Sequence, residues 1–260
     1  MTAGTRRLPP GRYRFRHVAR MEWVKLASLR STWATLGITI AAATGIAALA
    51  AAGTKTPSAD LTNSMMTGMF AGVLLAGVLG VLTVTSEYTS GTIRATLAAS
   101  PRRPLVLAAK AAVFGIVTLI TGQAAAFLAF FAGRAALGHG IAAPALGQPG
   151  VLRTIAASGA SLALIGLLGL GLGAIIRHTA AAVTVLAGVV YAGELFIGQL
   201  DRTIDAYLPA YIVGDTLGGR TCGPGAVGCP LPAWAGMSVL AAYAAAALLI
   251  GGCILTWRDA

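Results

Sequence analysis

The residues best suited to chemistry lie in a polar stretch between two long apolar runs. It extends from Ser86 to Pro104 and reads SEYTSGTIRATLAASPRRP. Glu87, Gly91 and Arg94 are spaced by four and three residues, which would place them on one face of a helix. Charged, hydroxyl and glycine residues in this order suit ion pairing and close approach. We therefore expect a short helix that docks a partner; an ordinary solvated loop is the alternative.

The sequence also indicates where this short helix ends. Ser100 is a good N-cap, and Pro101 suits the first turn of the helix that follows. The docking helix should therefore end near Ala99, directly before a long apolar helix. The residues that we expect to contact a partner are Glu87, Tyr88, Gly91, Thr92, Arg94, Arg102 and Arg103.

Motifs typical of enzymes are missing from the chain. There is no GxxxxGK[S/T] phosphate-binding loop, no HExxH metal site and no GxSxG nucleophile motif. The histidines His17, His139 and His178 lie in separate segments, and no two of the eight carboxylates share an apolar run. We therefore expect neither an enzyme nor a chain that binds its own metal ion or cofactor.

The composition indicates a membrane protein. Only 10% of the 260 residues are charged and 57% are hydrophobic, whereas a soluble protein has about 25% charged residues. A helix needs about 20 apolar residues to cross a bilayer. The predicted fold class is therefore all-α, a polytopic protein with six transmembrane helices within residues 33–256. The predicted spans are 33–53, 65–85, 105–131, 154–176, 179–200 and 235–256.

The basic residues predict the orientation of these helices. Six crossings put both termini on one side, and that side holds fourteen of the 19 Lys and Arg residues. The other five are Lys55, Arg134, Arg153, Arg202 and Arg220. Basic residues accumulate on the cytoplasmic side of membrane proteins, so we expect cytoplasmic termini and a location in the plasma membrane. The net charge of +11 then reflects orientation, and nucleic acid is not an expected partner.

The segment before the first span has a pattern of its own. Residues 1–11 are polar and contain two prolines, and we expect them to be disordered. Residues 12–32 interleave basic and apolar side chains, which predicts an amphipathic helix in the cytoplasmic membrane interface, with lipid as its partner. A solvated basic tail is the alternative, and Glu22 interrupts the apolar face. The predicted interfacial residues are Arg20, Glu22, Lys25 and Arg30.

Two features on the outer side leave alternatives open. Glu194 lies near the outer end of the fifth span; it either contacts a substrate or a proton, or it pairs with Arg202. In the extracellular segment 201–234, Cys222 and Cys229 either form a disulfide or remain free thiols.

Several segments together resemble a known family. The run EWVKLASLRSTW (Glu22–Trp33) precedes the first span, and EYTSGTIRATL (Glu87–Leu97) and Pro101–Arg103 lie between the second and third. Lys110 lies a turn or two inside the third span, where its side chain can extend to the interface. In order and spacing, the whole chain resembles the permease subunit of type-2 ABC transporters, particularly those of actinobacteria.

The resemblance implies a function and partners. Two permeases, in a homodimer or a heterodimer, would associate with two copies of a separate cytoplasmic ATPase that binds ATP and magnesium. The stretch after the second span would be the coupling helix that contacts this ATPase, and re-entrant structure is expected in the last external segment. Export of an amphipathic or drug-like compound, as in multidrug export, is the expected activity. The alternatives are an ion-coupled secondary transporter and a non-transporting membrane anchor or immunity protein.

Overall fold

The computed structural model describes residues 15–54, 61–93, 103–138, 141–192, 207–218 and 233–257. Within these ranges the regular structure is helical throughout. The segment 1–11, predicted to be disordered, lies outside them. So do Arg94, Arg102, Glu194, Cys222 and Cys229. What we predicted for these residues stays a prediction.

The helices follow one another through short connections. Helix α1 (Phe15–Ser28) leads into α2 (Arg30–Ala52) through one extended residue, Leu29. A short helix, α3 (Leu61–Met66), precedes α4 (Met69–Thr89). Further along are α5 (Arg103–Ala136), α6 (Val151–Ile176), α7 (Thr179–Ala187), α8 (Pro209–Gly218) and α9 (Ala233–Trp257), and α7 continues as a π-helical segment, Gly188–Ala192.

Among the described residues, five helical segments are long and apolar enough to cross a membrane. They are Arg30–Ala52, Ser64–Thr89, Arg103–Ala136, Val151–Ile176 and Ala235–Trp257. The prediction of a helical protein with several membrane-spanning segments is confirmed at this level. In place of the predicted span 179–200 there is a shorter apolar helix, Thr179–Tyr191, and residues 193–200 lie outside the described ranges.

Some helices are longer than the apolar runs that predicted them. Helix α5 has 34 residues, whereas the predicted span was 105–131. At 1.5 Å per residue it is about 51 Å long, well above the roughly 30 Å of a hydrocarbon core. Helix α4 likewise continues to Thr89, past the predicted end at residue 85. Hydropathy marks the part of a helix that lipid can cover, whereas its backbone hydrogen bonds can continue into the interface.

Helix α6 is the central element of the bundle and packs against α4, α5 and α9. Glycines bring the backbones of α4 and α6 into contact. A Cβ atom on Gly80 would lie 2.1 Å from the carbonyl oxygen of Gly166, and one on Gly169 would lie 2.2 Å from that of Gly77. Small residues permit this close approach, which stabilises helix pairs in lipid.

Contacts between helix ends show that the chain passes back and forth through the bundle. The hydroxyl of Thr179, at the start of α7, donates to Oγ1 of Thr85 near the end of α4, at 2.9 Å. At the opposite end of the bundle, Met65 of α3 packs against Gly133 in the last turn of α5. The end of the bundle that contains Thr85 and Thr179 also contains the ion-paired residues Glu22, Lys25, Glu87 and Lys110.

Candidate functional site

Two glutamates and two lysines from three helices form a closed ring of ion pairs. Nζ of Lys110 on α5 donates to Oε2 of Glu22 on α1 at 2.5 Å and to Oε1 of Glu87 on α4 at 2.8 Å. Nζ of Lys25 on α1 donates to Oε1 of Glu22 at 3.2 Å and to Oε1 of Glu87 at 3.1 Å. We call these four residues the ion-paired cluster. Their formal charges cancel.

Most of the cluster is shielded from solvent. Glu22, Glu87 and Lys110 are 3%, 8% and 6% exposed, whereas the side chain of Lys25 is 36% exposed at the edge. Burying an unpaired ion costs several kcal/mol, and removing one member of a buried pair leaves the other unmatched. The cluster therefore holds α1 firmly against α4 and α5.

The inner face of α1 brings Glu22 to this position. Val18, Glu22 and Leu26 are buried and four residues apart, as expected for side chains on one side of a helix. Val18 packs against Val106 of α5, so Glu22 meets Lys110 one turn further along both helices. Glu22 does interrupt the apolar face, as predicted, and a lysine across the helix contact compensates its charge.

Lys110 was expected to extend its side chain towards the interface. In the structure this side chain is buried between the carboxylates of Glu22 and Glu87. The reason is electrostatic: two carboxylates inside the contact between helices stabilise the ammonium group where it lies. Oε2 of Glu87 is also buried, and it accepts no hydrogen bond from the residues that the structure describes.

Glu87 and Gly91 do not belong to the same helix, although their spacing predicted that they would share one helix face. Helix α4 ends at Thr89, and Gly91 follows it with a φ of 71°, a left-handed conformation that favours glycine. The hydroxyls of Thr89 and Ser90 both donate to the carbonyl oxygen of Ser86, at 3.1 and 2.7 Å. The amide of Ser90 still donates to the same carbonyl at 3.0 Å, whereas the amide of Gly91 turns back to the carbonyl oxygen of Tyr88 at 3.2 Å, so the helical pattern stops at this glycine. Glu87 thus belongs to the last turn of α4, and residues 94–102 lie outside the described ranges.

Two arginines hold the end of α9 beside the cluster. Nη1 of Arg103 donates to the carbonyl oxygen of Leu255, and Nη2 of Arg177 donates to that of Ile254, both at 3.3 Å. The last carbonyls of a helix have no partner within it, so these bonds satisfy the C-terminal end of α9. Arg177 also lies 5.2 Å from the ring centre of Tyr88, a cation–π contact. Two predicted docking residues, Tyr88 and Arg103, thus contact neighbouring helices of their own chain.

The other predicted residues divide into two groups. Arg20 and Arg30 are exposed on α1 and at the start of α2, whereas Glu22 and Lys25 contact the bundle. Thr92 is exposed, and its hydroxyl lies 2.9 Å from that of Ser90. The predicted interfacial helix therefore presents part of its charge inward and part outward.

Sequence reasoning missed the partnership of Glu22 with Lys110 and the role of Arg177. A signal was present, because an acidic residue on an apolar helix face and a lysine within an apolar run each need a partner when buried. The two residues are 88 positions apart, however, and chain order does not show which helices are neighbours. Arg177 was counted only among the fourteen basic residues on the side of the termini.

The cluster joins α1, α4 and α5 through ion pairs between side chains. In the part of the chain that the structure describes, no group of three or more His, Cys, Asp and Glu residues could hold a metal ion. Both carboxylates are bound by the same two lysines. No protein-family model matches the sequence, and no curated protein matches it significantly.

Proposed function

We propose that this protein is the membrane-embedded permease subunit of an ABC exporter driven by a separate cytoplasmic ATPase. The observation that carries the proposal is the contact between the two segments that resemble type-2 permeases. The N-terminal segment supplies Glu22 and Lys25, the end of α4 supplies Glu87, and Lys110 joins them. These segments are far apart along the chain, so their contact supports a joint function.

The cluster would transmit movement from the ATPase to the membrane domain. In this proposal the ATPase contacts the stretch from Ser86 to Pro104. Glu87 is the second residue of that stretch and is bound to Lys110 on α5 and Lys25 on α1. Buried ion pairs resist separation, so a displacement of the stretch would move three helices together.

The proposed topology has six membrane-spanning helices and cytoplasmic termini. The shorter apolar helix Thr179–Tyr191 would be the start of the fifth span. The ion-paired end of the bundle would face the cytoplasm of a cell whose plasma membrane holds the protein. Arg103 and Arg177 lie at this end, in agreement with the preference of basic residues for the cytoplasmic side.

The working transporter would contain two permeases, identical or different, and two ATPase subunits. ATP and Mg²⁺ would bind to the ATPase, since this chain has no phosphate-binding loop. An amphipathic or drug-like compound suits the apolar interior of the bundle, so multidrug export is the proposed activity.

Reconstitution with an ATPase tests this proposal. The permease is co-expressed with an ATPase encoded beside its gene, purified with it and placed in vesicles. We expect Arg94→Glu and Glu87→Ala to uncouple ATP hydrolysis from substrate export while membrane insertion persists. Arg153→Glu, in the first turn of α6 at the opposite end, is the control. Coupling that is unchanged in both variants would contradict the proposed role of the stretch.

The same vesicles distinguish the alternatives. Export that continues without any ATPase but follows an ion gradient would identify a secondary transporter. A protein that neither exports nor responds to nucleotide, and that acts as a monomer, would be an anchor or immunity protein. Either result would exclude the ABC exporter.

A further inference from the structure

Helix α1 has a second face, opposite the one that contributes to the cluster. Arg16, Arg20, Trp23 and Ala27 are spaced by four, three and four residues, which aligns them along one side of the helix. Arg16 and Arg20 are exposed, and Trp23 is 45% exposed. We call these four residues the outer stripe. It faces away from α4 and α5.

The outer stripe is positively charged and nothing in the described chain neutralises it. Glu22 is the only acidic residue among the first 59, whereas the first 30 contain eight Lys and Arg residues. The cluster removes this one negative charge from the surface, since Glu22 is buried and bound to Lys25 and Lys110. Within the described residues, neither Arg16 nor Arg20 forms an ion pair with a carboxylate.

The outer stripe ends close to the start of α2, whose residues are mostly apolar. Nε1 of Trp33, in the first turn of α2, donates to the carbonyl oxygen of Ala27 at 3.0 Å. Trp33 is 50% exposed, and Ile38 and Leu49 are exposed further along α2, as expected for a surface that faces lipid tails. Tryptophan is enriched at the level of lipid headgroups. Trp33 therefore places the outer stripe next to that level.

We propose that Arg16, Arg20, Trp23 and Trp33 form a binding surface for anionic phospholipid headgroups. A guanidinium group binds phosphate oxygens through paired N–H donors, and an exposed indole suits a boundary that is apolar on one side and wet on the other. Helix α1 is then held by the cluster on one side and by lipid on the other. This assignment concerns lipid alone and does not rest on the ABC exporter proposal.

Brominated lipid tests this surface, because bromine quenches the fluorescence of a nearby indole. In the full-length chain, Trp234→Phe and Trp257→Phe leave Trp23 and Trp33 as reporters. The detergent-solubilised protein is titrated with brominated phosphatidylglycerol or brominated phosphatidylcholine. A basic side chain near an anionic membrane surface strengthens binding by roughly fivefold, so the two arginines should let phosphatidylglycerol quench at a concentration roughly 25-fold lower. Added salt should abolish the preference, because it screens exposed charges.

Substitution of the two arginines gives the decisive comparison. Arg16→Gln combined with Arg20→Gln should raise the half-quenching concentration of phosphatidylglycerol by roughly 25-fold and leave that of phosphatidylcholine unchanged. Arg153→Gln, at the opposite end of the bundle, should keep the preference. Because Arg16 and Arg20 are exposed, the melting temperature should be the same for all variants.

Two results would overturn the proposal. One is equal quenching by the two lipids in the protein with an intact outer stripe. The other is a double variant that keeps the full preference for phosphatidylglycerol; if that variant also loses a co-purified acidic protein, the outer stripe belongs to that protein.

Discussion

Nζ of Lys110 lies 2.8 Å from Oε1 of Glu87, and the same nitrogen donates to Glu22. One lysine in an otherwise apolar part of α5 thus connects the end of α4 with the N-terminal helix α1. Lys25 binds the same two carboxylates from a more exposed position. The two lysines should therefore differ in how much they stabilise the fold, although they carry the same charge.

Lys110→Met should lower the free energy of unfolding by about 3–5 kcal/mol, because two buried carboxylates lose the partner that they share. Lys25→Met removes the same charge from the edge of the cluster, where the cost should be about 1 kcal/mol or less. Unfolding in mixed micelles, as a denaturing detergent is added, measures both values. An equal loss of unfolding free energy in the two variants would show that the burial of Lys110 does not affect stability.

Glu22→Gln should loosen the attachment of α1. The neutral amide cannot balance the buried charge of Lys110, so α1 should separate from α5 more often. Trypsin cleavage after Arg20 and Lys25 should become roughly tenfold faster, the effect of about 1.4 kcal/mol in local stability. Ser28→Ala is the control, since among the described residues its exposed hydroxyl bonds only to the carbonyl of Lys25 on the same helix. Unchanged cleavage in Glu22→Gln would mean that apolar contacts alone hold α1.

Gly80→Ala should destabilise the bundle by about 2–3 kcal/mol. The new Cβ atom would lie 2.1 Å from the carbonyl oxygen of Gly166, and two backbones cannot yield as a flexible side chain would. Gly45→Ala, also within a candidate span, has no atom within 4 Å of its new Cβ and should change stability by about 0.5 kcal/mol or less. Melting temperatures in one detergent compare the two. A Gly80→Ala protein as stable as Gly45→Ala would show that α4 and α6 do not touch as described.

Arg177→Gly should release the end of α9. Arg177 has a φ of 59°, which glycine adopts without strain, so the change removes the side chain and leaves the turn intact. The bond to Ile254 and the contact with Tyr88 are lost. Amide hydrogen exchange in the last turn of α9 should become roughly tenfold faster, since one such bond contributes about 0.5–1.5 kcal/mol.

His178→Ala is the control for this measurement. Its imidazole Nδ1 accepts from the amide of Ala181 at the start of α7, so exchange should increase at α7 and not at α9. If exchange at the end of α9 is the same in Arg177→Gly and in the unsubstituted protein, Arg177 does not hold the end of α9.

Long apolar runs allowed several helix bounds to be predicted closely. The helix Val151–Ile176 begins three residues before the predicted span 154–176, and Ala235–Trp257 ends one residue after the predicted 235–256. The agreement follows because a long uninterrupted apolar run is stable in lipid only as a helix. The extension of α5 to Ala136 was missed because hydropathy falls before the helix ends.

The short polar stretch was harder to predict. The spacing of Glu87 and Gly91 fits one helix face, yet α4 ends at Thr89 and Gly91 adopts a left-handed backbone conformation. Helical spacing shows which residues would align if the helix continued. Whether it continues depends on the backbone conformation of each residue, and the positive φ of Gly91 interrupts the helix here.

The sequence by itself determined the apolar segments, the uneven distribution of basic residues and the lack of a phosphate-binding loop. Each of these properties depends only on residue type and order. The tertiary structure alone decided that Glu22, Lys25, Glu87 and Lys110 are partners and that Arg103 and Arg177 hold α9. An ion pair requires two groups within a few ångströms of each other. Residues 88 positions apart reach that distance only when their helices pack side by side.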